Sequence, residues 1–118
     1  MRNIHKQVNK LNQIGILLLA ALFEAGGDAI LRKALHLQPG TSRIVALLAG
    51  AAVLFFYGVM VNAPAWDFGR LLGIYVVFFF VIAQGISWLV FKQPPTPATW
   101  IGGALIVAGG AVLGFAAA

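Results

Sequence analysis

The chain has 118 residues, of which 61% are hydrophobic and 9% charged, and its eight Lys and Arg against three carboxylates give a net charge of +5. A water-soluble fold of this size could not cover its surface with so few charges, because soluble domains carry about 25% charged residues. Disorder is excluded too, since disordered chains are poor in apolar residues. We therefore expect an integral membrane protein with almost no mass outside the bilayer.

The first twelve residues differ in character from the rest of the chain. Apolar side chains recur there at helical spacing with basic side chains around them, at Ile4, Val8 and Leu11 and at Arg2, Lys6 and Lys10. This pattern predicts a short amphipathic, cationic helix on anionic headgroups, with a frayed polar tail as an equal alternative. A cleaved signal peptide is a third interpretation, disfavoured because no soluble domain follows the apolar stretch.

Four long apolar runs predict four transmembrane helices, at 14–31, 44–61, 71–91 and 100–118. Each is close to the roughly 20 residues that span a bilayer as a helix. None shows the alternation of a membrane β-strand. The connections are short and hold turn signals or prolines, which makes consecutive helices antiparallel neighbours: Pro39-Gly40, Pro64, and Pro94, Pro95 and Pro97 in the last one. The expected architecture is all-α, with a single four-helix transmembrane domain over residues 1–118.

The basic residues that normally set the orientation of a membrane protein are evenly divided. With four spans, one side receives four of them and the other side also receives four: Arg2, Lys6, Lys10 and Arg70 against Arg32, Lys33, Arg43 and Lys92. This balance favours insertion in both orientations and pairing as an antiparallel homodimer. The alternative is that one basic residue is buried and does not count. We expect a multi-pass protein of the cell inner membrane.

Two carboxylates lie inside the first apolar run, Glu24 and Asp28. A charge near the middle of a span costs about 2.5–3.5 kcal/mol, so an acidic residue there indicates function by default. The two side chains share one helical face. A carboxyl group out of water can hold a proton and release it when a cation approaches. The structural alternative pairs Asp28 with Arg32, and Glu24 with Arg70 or Gln84.

Aromatic and small residues add two weaker predictions. Tyr57, Tyr75 and Trp88 are candidates to line a cation-binding cavity, although packing or an interfacial position explains such residues equally well. In the last apolar run, Gly109 precedes a GxxxG pair formed by Gly110 and Gly114. On an uncharged helix this pattern predicts close helix packing in a dimer.

The sequence lacks motifs for metal binding, nucleic-acid binding and catalysis. Cysteine is absent and the histidines, His5 and His36, lie in separate polar segments, so we expect no metal and no cofactor. The basic residues form no stripe with aromatics, so we expect no nucleic-acid partner. No Ser–His–Asp arrangement, phosphate-binding loop or pair of catalytic carboxylates is apparent, and we expect no enzyme.

The segment Ala20-Ala21-Leu22-Phe23-Glu24-Ala25-Gly26-Gly27 resembles the first-helix motif of the small multidrug resistance superfamily, and its Ala-Ala-x-x-Glu-x-Gly-Gly form is closest to the YnfA-type branch. Gly69-Arg70 followed by Tyr75 resembles the Gly-Arg-x-x-x-x-Tyr pattern of that branch. Ser87-Trp88 and Leu105-Ile106-Val107-Ala108-Gly109 also fit the superfamily. The resemblance covers residues 17–114.

The resemblance implies an antiparallel, dual-topology homodimer that exports small cationic or lipophilic compounds in exchange for protons, with Glu24 as the shared site. Asp28 and Arg70 are extra charges relative to the drug exporters, and Val77-Phe78-Phe79 replaces their Gly-x-Gly hinge. Two other functions remain open: a subunit of a lipid-carrier flippase and a non-transporting membrane scaffold. The expected partners are a second copy, a small cation, protons and membrane lipid. The candidate proton and substrate site combines the carboxylates with neighbouring polar and aromatic residues: Glu24, Asp28, Tyr57, Arg70, Tyr75 and Trp88.

Overall fold

The architecture is a set of four long helices joined by short connections. A computed structural model describes residues 2–115, apart from the side chains of residues 2 and 5–10. Its helices are α1 (Arg2–Leu35), α2 (Thr41–Val61), α3 (Phe68–Leu89) and α4 (Pro97–Phe115). All four are long and apolar enough to cross a membrane, α1 over Leu11–Leu35. The prediction of an all-α, multi-pass membrane protein is confirmed.

α1 begins well before the first span, which starts at Leu11. The helix begins at Arg2, so the backbone of the N-terminal segment is helical rather than a frayed tail. The predicted cationic face of this segment depends on Arg2, Lys6 and Lys10, whose side chains lie outside the described part of the structure.

The start of α4 corrects one predicted boundary. We expected all three prolines after α3 to lie in the loop, but Pro97 is the first residue of α4. The Thr96 hydroxyl accepts a hydrogen bond from the Thr99 backbone N–H at 3.2 Å and so caps the helix. Proline suits the first helical position because its fixed φ matches the helix and its missing N–H would be unpaired there.

Close helix packing depends on glycine at two seams. α1 packs along α2 and against α3, whereas α4 packs on α3. Between α1 and α2, a Cβ at Gly50 would lie 2.8 Å from the Leu31 side chain and 3.3 Å from the Gly27 carbonyl oxygen. Between α3 and α4, Gly103 faces Phe80 and Gly110 faces Val77. Small residues let these backbones approach, as expected for helices in lipid.

A small buried core lies where α1, α2 and α3 meet. Its members combine small residues of α1 with larger residues of the other two helices: Leu17, Ala20, Ala21, Val61, Leu71 and Tyr75. Large apolar side chains point outwards elsewhere, among them Phe55 and Leu105. This distribution suits a protein in lipid, where apolar surface needs no cover. On α1 the last member of this cluster is Ala21, three residues before Glu24.

Candidate functional site

Glu24 lies near the middle of the first span and is half-buried. Its carboxylate oxygen Oε2 accepts a hydrogen bond from the Tyr75 hydroxyl on α3. Tyr75 is itself only 4% exposed and belongs to the buried core, so its hydroxyl is held in place. The carboxyl group of Glu24 is thus satisfied by a neutral donor and keeps its capacity to bind either a proton or a cation.

Three neighbouring aromatic rings come from α2 and α3, and two of them, Tyr57 and Tyr75, interact with this carboxyl group. The Tyr57 and Tyr75 ring centroids are 5.8 Å apart, and those of Tyr75 and Phe79 are 6.4 Å apart in a stacked arrangement. Tyr57 is also close enough to Glu24 to interact with it. Because aromatic faces attract cations, this wall favours a positively charged ligand next to the carboxylate. We call Glu24, Tyr57, Tyr75 and Phe79 the carboxyl–aromatic site.

Asp28 lies one turn further along α1 and is exposed. It lines a cavity of about 240 Å³ together with Ser87 and Gln93, and Phe79 borders the same cavity. Its predicted partner Arg32 also lines this cavity, but the guanidinium lies over the Phe91 ring, 5.4 Å from the centroid. Asp28 therefore adjoins the carboxyl–aromatic site through Phe79 without belonging to its hydrogen-bonded core.

Arg70 contacts the end of α4 rather than Glu24. Its Nε donates to the Leu113 carbonyl at 3.1 Å and its Nη2 to the Gly114 carbonyl at 3.3 Å. A cation is favourable there because the last carbonyls of a helix are unpaired and carry partial negative charge. The alternative that Arg70 neutralises Glu24 is wrong: within the described residues, Arg70 ties α3 to α4.

Trp88 and the glycines of α4 also take positions away from Glu24. Trp88 is 52% exposed and lines a separate cavity of about 670 Å³ between α3 and α4. Gly110 is buried against Val77 of the same chain, so its close contact is made within the protomer. Gly109 has open space beside it, and Gly114 contributes its carbonyl to Arg70. Packing of this helix against a second copy stays a prediction.

Two residues near the carboxylates, Phe79 and Gln93, were not among the predicted site residues. Phe79 follows Tyr75 by four residues, so helical spacing alone would have placed both rings on one face. Gln93 carried no such signal. It reaches the Asp28 cavity because the chain turns back after α3, where Lys92 adopts a φ of 58°.

These features define a multi-pass membrane protein with a carboxyl group near the middle of a span, hydrogen-bonded to a tyrosine of another helix. The chain is 36% identical over 105 residues to a UPF0060 membrane protein of Bacillus licheniformis, covering 85% of this chain and 91% of the relative. It is 33% identical over 100 residues to a UPF0060 membrane protein of Staphylococcus aureus strain JH9, covering 84% and 90%.

The chain belongs to the UPF0060 family of membrane proteins, the YnfA-type branch of the small multidrug resistance superfamily. The resemblance of its first-helix motif to that branch is confirmed. No protein-family model matches the chain, and no solved structure matches it.

Proposed function

We propose that the protein is a proton-coupled exporter of small cationic or lipophilic compounds in the cell inner membrane. The observation that carries the proposal is the pairing of Glu24, near mid-span, with the neutral hydroxyl of Tyr75. A scaffold would need a cationic partner to neutralise this carboxylate, because an unpaired charge inside a membrane is costly. The observed partner leaves the negative charge available to a ligand.

Proton and cation compete for the same carboxylate in this mechanism. When a cation binds, the ionised form is stabilised and the proton leaves; when a proton binds from the other side, the cation is released. Tyr75 orients the carboxylate, and the rings of Tyr57 and Phe79 offer cation–π contact to the arriving ligand. A downhill proton gradient then drives the cation out.

The working unit in this proposal is an antiparallel homodimer. The four-against-four distribution of basic residues supports insertion in both orientations. Reporters fused to the C-terminus, one active only in the cytoplasm and one active only outside it, should both give signal. Adding two lysines to the loop between α1 and α2 should shift the population to one orientation. Signal from a single reporter would contradict dual insertion.

Proton-driven flux in liposomes tests the transport proposal. Purified protein is reconstituted with an imposed pH gradient, and uptake of tetraphenylphosphonium or tetraethylammonium is measured. Glu24→Gln keeps the size and hydrogen-bonding capacity but removes the titratable proton, so coupled flux should be abolished. Asp28→Asn is the matched control, one turn along the same face, and should retain flux with altered affinity.

Two outcomes decide against the proposal. Coupled flux that persists in Glu24→Gln would remove Glu24 from the mechanism, and loss only in Asp28→Asn would move the coupling group one turn along α1. A folded parent protein that moves neither cation under any gradient would favour the scaffold instead.

A further inference from the structure

A continuous groove follows the last two turns of α1 at the end of the molecule where α1 and α3 finish. It consists of two adjoining cavities, one of about 240 Å³ that includes Asp28 and one of about 300 Å³ that includes Lys33 and His36. Arg32, Phe91 and Gln93 line both, so the two cavities share a wall rather than lying apart. We call this space the bipolar groove.

The bipolar groove carries charges of both signs, and Arg32 lines both of its cavities. Its inner part is lined by Asp28 and Ser87. Its outer part holds two cations over one ring: the Arg32 guanidinium is 5.4 Å and the Lys33 ammonium 5.9 Å from the Phe91 centroid. Asp28 and Arg32 are four residues apart, about 6 Å along the helix axis. Asp28 thus lines only the first cavity, Lys33 only the second, and Arg32 stands between them.

The far wall of the groove is fixed by the turn that follows α3. The Gln93 backbone N–H donates to the Ser87 carbonyl at 3.0 Å, and the Ser87 hydroxyl donates back to the Gln93 carbonyl at 3.3 Å. These bonds hold the Gln93 side chain at the boundary between the two cavities, where its amide offers both a donor and an acceptor.

A ligand with one charge alone suits this groove poorly. A simple cation attracted to Asp28 would face Arg32 and Lys33, and a simple anion attracted to those cations would face Asp28. A molecule carrying an ammonium and an anionic group a few atoms apart satisfies both ends, with charge-assisted hydrogen bonds at each.

We propose that the bipolar groove binds a small zwitterion, with its ammonium group at Asp28 and its phosphate or carboxylate group at Arg32 and Lys33. The same chemistry occurs in free solutes and in the headgroup of phosphatidylethanolamine, and the groove lies at one end of the first and third spans. Binding here does not require Glu24, so the inference stands apart from the proposed exchange mechanism.

Calorimetric binding to the detergent-purified full chain tests the inference. The probes are phosphoethanolamine and its two halves, ethanolamine and inorganic phosphate. We expect phosphoethanolamine to bind at least about tenfold more tightly than either half, because only it makes both charged contacts. Equal affinity for ethanolamine and phosphoethanolamine would overturn the proposal.

Variants assign the binding to the groove. Asp28→Asn and Arg32→Gln should each weaken phosphoethanolamine binding at least about tenfold. Arg43→Gln removes one positive charge at the same end of the molecule but outside the groove, and it should leave binding unchanged. Glu24→Gln should also leave it unchanged. If Arg32→Gln has no effect in a protein whose helical circular dichroism is intact, the assignment is wrong.

A lipid experiment separates the two sources of the zwitterion. The protein is placed in nanodiscs of phosphatidylglycerol with or without phosphatidylethanolamine, and phosphoethanolamine binding is measured again. Competition by phosphatidylethanolamine supports the inference with a lipid headgroup as the occupant. Binding that is insensitive to this lipid supports a soluble zwitterion. Absence of phosphoethanolamine binding in detergent and in both kinds of nanodisc contradicts the inference altogether.

Discussion

The α1–α2 seam and the α3–α4 seam both depend on glycine, yet they serve different purposes. The first brings Gly27 and Gly50 together and lies beside the carboxylates of α1. The second brings α4 against α3 at Gly103 and Gly110, and α4 contains no charged residue from Pro97 to Phe115. The glycines of the α1–α2 seam therefore let two helices pack closely beside a polar site. Those of the α3–α4 seam attach an uncharged helix to the rest of the protein.

The candidate site and the contacts that attach α4 therefore lie in different parts of the chain. Glu24, Tyr57 and Tyr75 lie on α1, α2 and α3, whereas α4 is joined to α3 by glycine packing and by two hydrogen bonds from Arg70. Changes at the first seam should therefore affect ligand binding, and changes at the second should affect the attachment of α4.

The largest effect is expected at the α1–α2 seam. Gly50→Leu would force a side chain into Leu31 and the α1 backbone, so the free energy of unfolding should fall by about 3 kcal/mol, the upper end for overpacking. Gly58→Leu is the matched control on the same helix, because a Cβ there meets nothing within 4 Å. Unfolding in mixed micelles, followed by circular dichroism, measures both. Equal destabilisation by the two variants would show that the seam is not tightly packed.

A smaller effect is expected from the tyrosine that bonds Glu24. Tyr75→Phe keeps the ring but removes the hydrogen bond to the ionised carboxylate, which is worth about 1–2 kcal/mol between membrane helices. Cation affinity should fall by about tenfold, since 1.4 kcal/mol corresponds to a factor of ten. Tyr57→Phe should cost less, because the hydroxyl bonded to Oε2 belongs to Tyr75. A larger loss of tetraphenylphosphonium binding in Tyr57→Phe would show that the Tyr57 hydroxyl, and not that of Tyr75, contributes more to cation affinity.

The α3–α4 seam offers a pair of adjacent glycines for comparison. A methyl group at Gly110 would run into Val77, whereas one at Gly109 would meet open space. Gly110→Ala should therefore lower the free energy of unfolding by about 1 kcal/mol through overpacking, and Gly109→Ala should leave it unchanged. Cross-linking between copies provides the second measurement: reduced dimer with Gly109→Ala alone would place this face between protomers. Destabilisation by Gly109→Ala but not by Gly110→Ala would refute the packing of α4 described above.

An effect no larger than that of Gly110→Ala is expected at Arg70. Arg70→Gln removes the charged donor to the Leu113 and Gly114 carbonyls, and the stability of this attachment should fall by about 1 kcal/mol. Amide hydrogen exchange should become faster in the last turn of α4 while cation affinity stays at the parent value. Loss of cation binding with unchanged exchange in α4 would instead return Arg70 to the ligand site.

Much of the fold could be predicted because bilayer thickness imposes length and hydropathy on each span. The four helices and their order follow from that constraint, and Glu24 stands out because a carboxylate in a span is rare. Boundaries were less certain. α4 begins at Pro97 and is capped by Thr96, and a local hydrogen bond of this kind has no signal in hydropathy.

Partners between helices were the hardest to predict. Arg70 and Trp88 were grouped with Glu24 because each is a polar or aromatic residue in or near a span. Their positions depend on which faces of α3 meet α1 and α4, and these are long-range packing choices. Spacing within one helix predicts a shared face, as for Tyr75 and Phe79, but it does not identify the helix that the face meets.

Proton release on cation binding tests the central claim most directly. Tetraphenylphosphonium is added to the detergent-solubilised parent protein in weak buffer, and the pH is followed with cation binding measured in parallel. If Glu24 exchanges a proton for a cation, the parent protein releases protons as the cation binds, and Glu24→Gln shows neither release nor binding. Proton release of equal size in Glu24→Gln, or cation binding by the parent without any release, would contradict the account.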